Sequence, residues 1–171
     1  MKALVPLLAL IAAGCSTTTR IDAAGDVHDL LVAVRDNDSK AFERHIDRNA
    51  LRRQIEGRMV REARASDAPQ ALKSFGIAMS QPGAAIAEAM LLQPGFLKMA
   101  AEHYGYTPDQ PVPGRMAIAG SLKHLDDGRV CVTREKAGPC LLYFTEGGGT
   151  WRLTGFEGEL SDLRAALSAA K

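Results

Sequence analysis

Residues 129–156 read RVCVTREKAGPCLLYFTEGGGTWRLTGF, and their alternating pattern indicates the fold class. Short runs rich in β-branched, leucine and aromatic residues are separated by glycine, proline and charged residues, which is typical of strands and turns. The glycine run 147–149 joins the last two strands. The predicted strands are Arg129–Arg134, Cys140–Thr145 and Thr150–Phe156.

A further strand is predicted upstream of this stretch, so that the sheet covers residues 115–158. Met116, Ile118 and Leu122 alternate with smaller or polar residues, and Asp127-Gly128 is typical of a hairpin turn. Connections this short cannot join parallel strands, because parallel pairing needs a long crossover. The sequence therefore predicts a four-stranded antiparallel meander.

The chain before the sheet has the period of helices. Between residues 26 and 104, apolar residues recur at spacings of three and four. Polar or proline-containing breaks separate the helices, among them Asn37-Asp38-Ser39 and the two Gln-Pro-Gly breaks at 81–83 and 93–95. Residues 105–114 form a proline-rich linker, and residues 160–168 are predicted to form a closing helix. We therefore expect one α+β domain over residues 26–171, with the helices on one face of the sheet.

The composition suits a single globular domain. The chain has 171 residues, of which 46% are hydrophobic and 5% aromatic, so the core depends on aliphatic side chains and alanine. Lysine and arginine total 21 against 20 aspartates and glutamates, and Lys2 is the only charge before Cys15. Removal of residues 1–14 would leave a neutral protein, which disfavours nucleic acid as a partner.

An export signal is predicted in residues 1–14. Lys2 supplies a positive start, and the mainly apolar stretch Ala3–Ala13 is shorter than the ~20 residues that a membrane-spanning helix needs. Small residues follow directly before Cys15. An ordinary signal peptide cut near Ala13 and an uncleaved anchor are the alternatives.

The residues Ala12-Ala13-Gly14-Cys15 resemble the lipobox of bacterial lipoproteins, with Ala12 where leucine is preferred. The resemblance implies that Cys15 carries fatty acyl chains such as palmitate, and several chains together form a stable membrane anchor. Ser16, rather than aspartate, follows the cysteine, which implies the periplasmic side of the outer membrane of a Gram-negative-type bacterium. Residues 15–25 are then a short polar tether that keeps the domain close to the lipid.

The mature region resembles a known family. The helical segment Asp26–Ala63, the strand sequence LLYFTE at 141–146 and Trp151-Arg152-Leu153 are similar to the bacterial family called domain of unknown function 2939. The resemblance implies a cell-envelope domain without an assigned activity. It therefore supplies no catalytic residues.

Cys131 and Cys140 remain after Cys15, and an even pair in an oxidising compartment predicts a disulfide. Direct pairing of the two cysteines would place Val130 opposite Leu141, whereas a register that aligns Val130 with Phe144 points the cysteines to opposite faces. A bulge at residues 138–139 would reconcile these registers. A redox or metal site is the alternative, although the spacing is not Cys-x-x-Cys.

Basic residues concentrate between positions 40 and 64, where eight lysines and arginines stand against four acidic residues. Arg44, Arg48 and Arg52 would line one face of an unbroken helix and bind anionic lipid headgroups or an acidic envelope protein. The alternative is a solvated face with arginine–glutamate pairs.

No catalytic residue, metal site or cofactor is predicted. The four histidines lack metal-ligand spacing, and Ser121 lacks the Gly-x-Ser-x-Gly frame of a hydrolase nucleophile. We therefore expect a non-catalytic binding or assembly module. One alternative is a carrier with an apolar cavity between sheet and helices, which Trp151 would line instead of packing in the core; the other is an unrecognised hydrolase.

Overall fold

The computed structural model describes residues 5–103, 106–107, 109–133 and 138–157. Helices come first and a four-stranded antiparallel sheet follows, which confirms the predicted α+β class. The helices are α1 (Val5–Arg35), α2 (Ser39–Arg44), α3 (Arg48–Ala65), α4 (Gln70–Ala78), α5 (Ser80–Leu91), α6 (Pro94–His103) and α7 (Arg115–Ser121). The strands are β1 (Leu122–His124), β2 (Val130–Thr133), β3 (Cys140–Gly147) and β4 (Thr150–Phe156).

Polar side chains separate the first three helices. The Asp38 carboxylate accepts a hydrogen bond from the Ala41 backbone N–H at 2.9 Å and caps α2. Asp47 accepts from the Ala50 N–H at the same distance and caps α3. Asn37 has a φ of 54°, a left-handed conformation that asparagine tolerates, and it turns the chain between α1 and α2.

The two predicted Gln-Pro-Gly breaks lie at helix starts. Pro82 falls in the first turn of α5, and Pro94 is the first residue of α6. A proline in the first turn costs no helical hydrogen bond, because the N–H groups there have no partner within the helix. Both breaks therefore divide the helical part as predicted.

The sheet is a meander with the strand order β1-β2-β3-β4. Phe144 of β3 pairs with Val130 of β2 and with Leu153 of β4, which puts the three side chains in one row. Gly148 and Gly149 have positive φ values of 66° and 79°, as a two-residue hairpin turn that follows the twist of the strands requires.

The core lies between this row and the helices. Val130, Phe144 and Leu153 pack with Phe42 and with the inner side of α1. Trp151 is 4% exposed and belongs to the same cluster, so it is a core residue.

The link between α2 and α3 extends the sheet by one short pairing. Leu153 of β4 donates its N–H to the His45 carbonyl at 2.8 Å, and its own carbonyl accepts from the Asp47 N–H at 3.0 Å. Ile46 forms a parallel bridge with Leu153 between these two bonds. Because β4 is the last strand of the meander, this pairing covers part of its free edge.

Residues 115–121 were predicted to begin the sheet, and this is wrong: they form α7. Ile118, Ala119 and Leu122 are buried and belong to the core cluster, whereas Met116 is exposed. The buried residues are adjacent or four positions apart, which is the period of a helix, and α7 packs against α1. A short alternating run fits both periods, and packing against α1 favours the helix.

The predicted tether at residues 15–25 also differs from the structure, because it lies within α1, which runs unbroken from Val5 to Arg35. Ala23 and Ala24 are fully buried in the core cluster. The folded part therefore begins before residue 26. The serine and threonine content of this stretch indicated polar coil, but Ala23 and Ala24 continue the buried stripe of Val27 and Leu30. The predicted closing helix at residues 160–168 lies outside the described residues.

Candidate interaction surface

Cys15, the predicted lipidation site, belongs to α1 by its backbone. Side chains are described from Thr17 onward, so the surroundings of the Cys15 thiol are outside the described part. Within that part, no helix combines the length and the apolar character needed to cross a bilayer. Lipidation of Cys15 stays a prediction.

Cys131 of β2 and Cys140 of β3 lie at disulfide distance, with 2.07 Å between their sulfur atoms and 5.5 Å between their Cα atoms. Val130 pairs with Phe144, as in the second predicted register, but the pairing shifts before Thr133, which lies opposite Cys140. A bulge therefore brings the two cysteines together, within β3 instead of at residues 138–139.

Arg44, Arg48 and Arg52, which would line one face only of an unbroken helix, do not share a helix. Arg44 is the last residue of α2, and Arg48 begins α3 after a turn. The shared face does not form, because Asp47 caps a new helix at that point. Arg48 and Arg52 lie one turn apart on α3 and face α5.

Both of these arginines bind Glu88 of α5, whose side chain is 5% exposed. Arg48 donates through Nη1, and Arg52 donates through Nε at 3.1 Å. Burial by itself raises the pKa of the Glu88 carboxyl, but the hydrogen bonds from Arg48 and Arg52 outweigh burial and lower that pKa below its usual value. Two arginines expected to bind at the surface thus share one carboxylate at the α3–α5 interface.

Arg48 has two further partners. Its guanidinium donates to the Glu43 carboxylate at 2.8 Å and to the Leu92 carbonyl at 2.9 Å. The hydrogen bond between Arg48 and Glu43 raises the pKa of the arginine and lowers that of the glutamate. We call Glu43, Arg48, Arg52 and Glu88 the α3–α5 ion cluster, and it joins α5 to α3.

A different set of arginines remains on the solvent side of α3. Arg53, Arg61 and Arg64 are exposed, and none forms an ion pair with another residue of the described part. At about 100° per residue, their side chains fall within an arc of about 80°. Glu62 points to the opposite side by the same geometry, and Glu56 is half-buried at the border with α5. This side of α3 is therefore basic.

The exposed side of α4 and α5 contains no charged residue. Across residues 70–91, all of them described, the charged residues are Lys73 and Glu88, and neither is exposed. The Lys73 ammonium lies 3.4 Å from the Arg64 carbonyl. We call this exposed side the α4–α5 face, and its large apolar side chains, each at least 47% exposed, are Leu72, Phe75, Met79, Ile86 and Met90.

Glycines let both helices approach α3 closely. A Cβ atom at Gly76 of α4 would lie 3.1 Å from the Cβ of Ala63, and one at Gly83 of α5 would lie 2.8 Å from the Cε of Met59. No residue of α4 is fully buried, even though the helix packs against α3. The apolar outer side of α4 is thus left uncovered.

An open groove of about 430 Å³ connects the basic side of α3 with the α4–α5 face. Because Arg53 and Pro82 both line it, the two regions form one continuous surface. The groove lies on the outside of the helices, not between helices and sheet where the carrier hypothesis places a cavity. Its lining residues are Asn49, Arg52, Arg53, Glu56, Gln81, Pro82 and Ala85.

A second polar cluster attaches α1 to β4. The Trp151 backbone N–H donates to Asp26 at 2.7 Å, and its indole N–H donates to Asp22 at 3.0 Å. The buried His45 ring lies close to the same carboxylate, with 3.5 Å between Nδ1 and the Asp26 oxygen. Among the described residues, this nitrogen has no hydrogen-bond partner.

A family model described as "Protein of unknown function (DUF2939)" matches residues 8–93, half of the chain. The chain belongs to the DUF2939 family. The DUF2939 match spans Cys15, the α3–α5 ion cluster and the α4–α5 face, and it ends before α6. The sheet, with the Trp151-Arg152-Leu153 sequence that contributed to the predicted resemblance, lies beyond it. No curated protein and no solved structure is significantly similar to the chain.

Sequence reasoning did not assign Glu88 any role in this DUF2939 chain. Glu88 is the only charged residue between Lys73 and Lys98, and it lies in a helix that is otherwise apolar or small. An isolated charge in such a helix needs a partner when it is buried. That signal was present, but its partners lie 36 and 40 residues away along the chain.

Proposed function

We propose that this DUF2939 protein is a lipid-anchored lipoprotein of the cell envelope, and that its mature domain is a non-catalytic binding module. The anchor rests on the lipobox-like residues before Cys15. The proposed location is the periplasmic side of the outer membrane, because Ser16 follows the cysteine. The observation that carries the binding role is the α4–α5 face.

The physical argument for binding concerns the cost of exposed apolar surface. Each Å² of apolar surface kept in water costs about 25 cal/mol relative to burial, and Phe75 and Ile86 are each 63% exposed. Adjacent apolar side chains without a charge among them are typical of surfaces that a partner covers. A partner on the α4–α5 face would remove this cost.

The anchor is tested by replacing Cys15 with alanine in the full chain and expressing it in a Gram-negative bacterium. We expect the wild type to incorporate labelled palmitate and to fractionate with membranes, and Cys15→Ala to lose both. Ser16→Ala is the matched control, since it changes the neighbouring residue and leaves the thiol. Equal labelling and equal membrane fractions for wild type and Cys15→Ala would contradict the anchor.

The binding role is tested by placing a photo-crosslinking amino acid at position 75 of the anchored protein in cells. We expect a cross-linked product at position 75. The matched control is position 116, because Met116 is at least as exposed to solvent as Phe75 but lies on α7, which packs against α1 instead of α3. Absence of any product at position 75 would contradict a partner on the α4–α5 face.

A further inference from the structure

We infer that the occupant of the α4–α5 face is an anionic phospholipid bilayer, with the apolar side chains entering the interface and Arg53, Arg61 and Arg64 meeting the headgroups. This inference deepens the proposed function and rests on it. It assigns the face to lipid instead of to a second copy of the chain or another protein.

The first argument is the composition of the face. Helices that lie in a membrane interface present an apolar side without charges and carry arginine or lysine beside it. Leu72 and Phe75 of α4 and Met79, the cap residue after it, recur at spacings of three and four, so they project from one side of the helix. Ile86 and Met90 do the same on α5. Neither helix places an exposed charge among them.

The second argument is charge complementarity. Arg53, Arg61 and Arg64 project from the solvent side of α3, and none forms an ion pair with a described residue. By contrast, Arg48 and Arg52 form ion pairs with Glu88 inside the α3–α5 ion cluster. Arginine has a long apolar stem, so its guanidinium can reach phosphate while the stem lies along apolar surface. Of these arginines, Arg53 lines the groove beside α5, so a guanidinium without an ion pair borders the apolar face, where headgroups would lie.

The third argument is continuity. The groove between α3 and α5 is lined by Arg53 on one side and Pro82 on the other. The groove thus joins the basic side of α3 to the apolar face, and in this inference the bilayer contacts both regions. A partner that used the apolar face alone would leave the three arginines without a role.

The test uses the full acylated protein, purified from membranes and reconstituted in phospholipid vesicles. Met79 is changed to cysteine and labelled with the environment-sensitive fluorophore NBD, and quenching by spin-labelled lipid acyl chains is measured. Met79→Cys is compared with Met116→Cys, the matched control of the same residue type on α7. The vesicles contain either phosphatidylglycerol mixed with phosphatidylcholine or phosphatidylcholine alone.

We expect strong quenching of the label at position 79 in the anionic vesicles and little at position 116. Each basic residue near an anionic surface contributes about fivefold to association. Replacing Arg53, Arg61 and Arg64 together by glutamine should therefore abolish most of the quenching at position 79. The Arg44→Gln variant, which removes an exposed arginine of α2, should leave it unchanged.

Two results would overturn the inference. Equal, low quenching at positions 79 and 116 in anionic vesicles would show that the face does not touch lipid. Oxidised disulfide dimers of the unlabelled Met79→Cys protein, together with absent lipid quenching of the labelled protein, would assign the face to a second copy. The intact mass of the same preparation reports the acyl chains on Cys15, so failure of the anchor is read separately from failure of this contact.

Discussion

The guanidinium of Arg48 in α3 reaches the carboxylate of Glu88 in α5, and it does so from the first residue of its helix. The same guanidinium also donates to the Leu92 carbonyl, just beyond the end of α5. A single side chain therefore binds the last turns of α5 to the start of α3. The helix that presents half of the proposed binding face is held by this contact and by Arg52.

Replacing Glu88 with glutamine should destabilise the protein by about 1–3 kcal/mol, because it leaves Arg52 without its charged partner and Arg48 with Glu43 alone at a partly buried interface. The free energy of unfolding measured in urea checks this. Glu43→Gln is the matched control: Glu43 pairs with the same Arg48 but is 45% exposed, so it should cost no more than about 1 kcal/mol. Equal losses of unfolding free energy in the two variants would show that the burial of Glu88 does not increase its contribution to stability.

The lowered pKa of Glu88 also makes the stability of the fold depend on pH. Its folded-state pKa lies below the usual value of 4.5, so its stabilising effect is present above pH 4.5 and is lost as the pH falls through the folded-state pKa. We expect the difference in unfolding free energy between wild type and Glu88→Gln to be constant from pH 6 to 8 and to shrink below about pH 4.5. A difference that grows on acidification would contradict the sign of this shift.

Substitutions of the two α1 aspartates that bind Trp151, Asp26 and Asp22, should affect different measurements. Asp26→Ala removes the acceptor for the Trp151 backbone N–H, which is buried, and should cost about 1–3 kcal/mol. Asp26→Asn keeps an acceptor oxygen and should cost less. Asp22→Ala removes the acceptor of the indole N–H, so the emission spectrum of the single tryptophan should shift. Because Asp22 is exposed, water can replace its carboxylate, and stability should fall less than in Asp26→Ala. An unchanged spectrum in Asp22→Ala would contradict the indole contact.

The cysteine pair of the sheet should stabilise the fold. Closing a loop between residues nine apart removes chain entropy from the unfolded state worth about 2–3 kcal/mol. The Cys131→Ala/Cys140→Ala double variant should lose about that much, as should the wild type in reducing agent. The double variant is its own control, because reducing agent should not destabilise it further. If reducing agent did not change the free energy of unfolding of the wild type, the cysteine pair would contribute no stability.

Several parts of the fold were predicted because they depend on neighbours in sequence. The strands Cys140–Gly147 and Thr150–Phe156 follow from alternating apolar residues and from glycines that allow positive φ. The start of α3 follows from the Asp47 cap, and the same cap excludes the unbroken helix on which a shared face of Arg44, Arg48 and Arg52 depended. In each case hydrogen bonds over a few residues determine the element.

The parts that were wrong or missed depend on packing between distant residues. Ile118 fits a strand or a helix by its local pattern, and contact with α1 favours the helix. Ala23 and Ala24 lie in a stretch with polar composition, yet they are buried in the core. Short segments carry too little pattern to distinguish these outcomes.

The amino-acid order was enough to establish helices followed by an antiparallel meander, because backbone geometry responds to residues three or four positions away. Which charged residues pair with each other is decided only in the folded chain. Glu88 binds Arg48 and Arg52, which lie 40 and 36 residues away in the sequence. The same folding leaves Arg53, Arg61 and Arg64 without ion pairs among the described residues and leaves Phe75 in solvent. Burial and charge pairing are long-range properties, and a surface for a partner is defined by both.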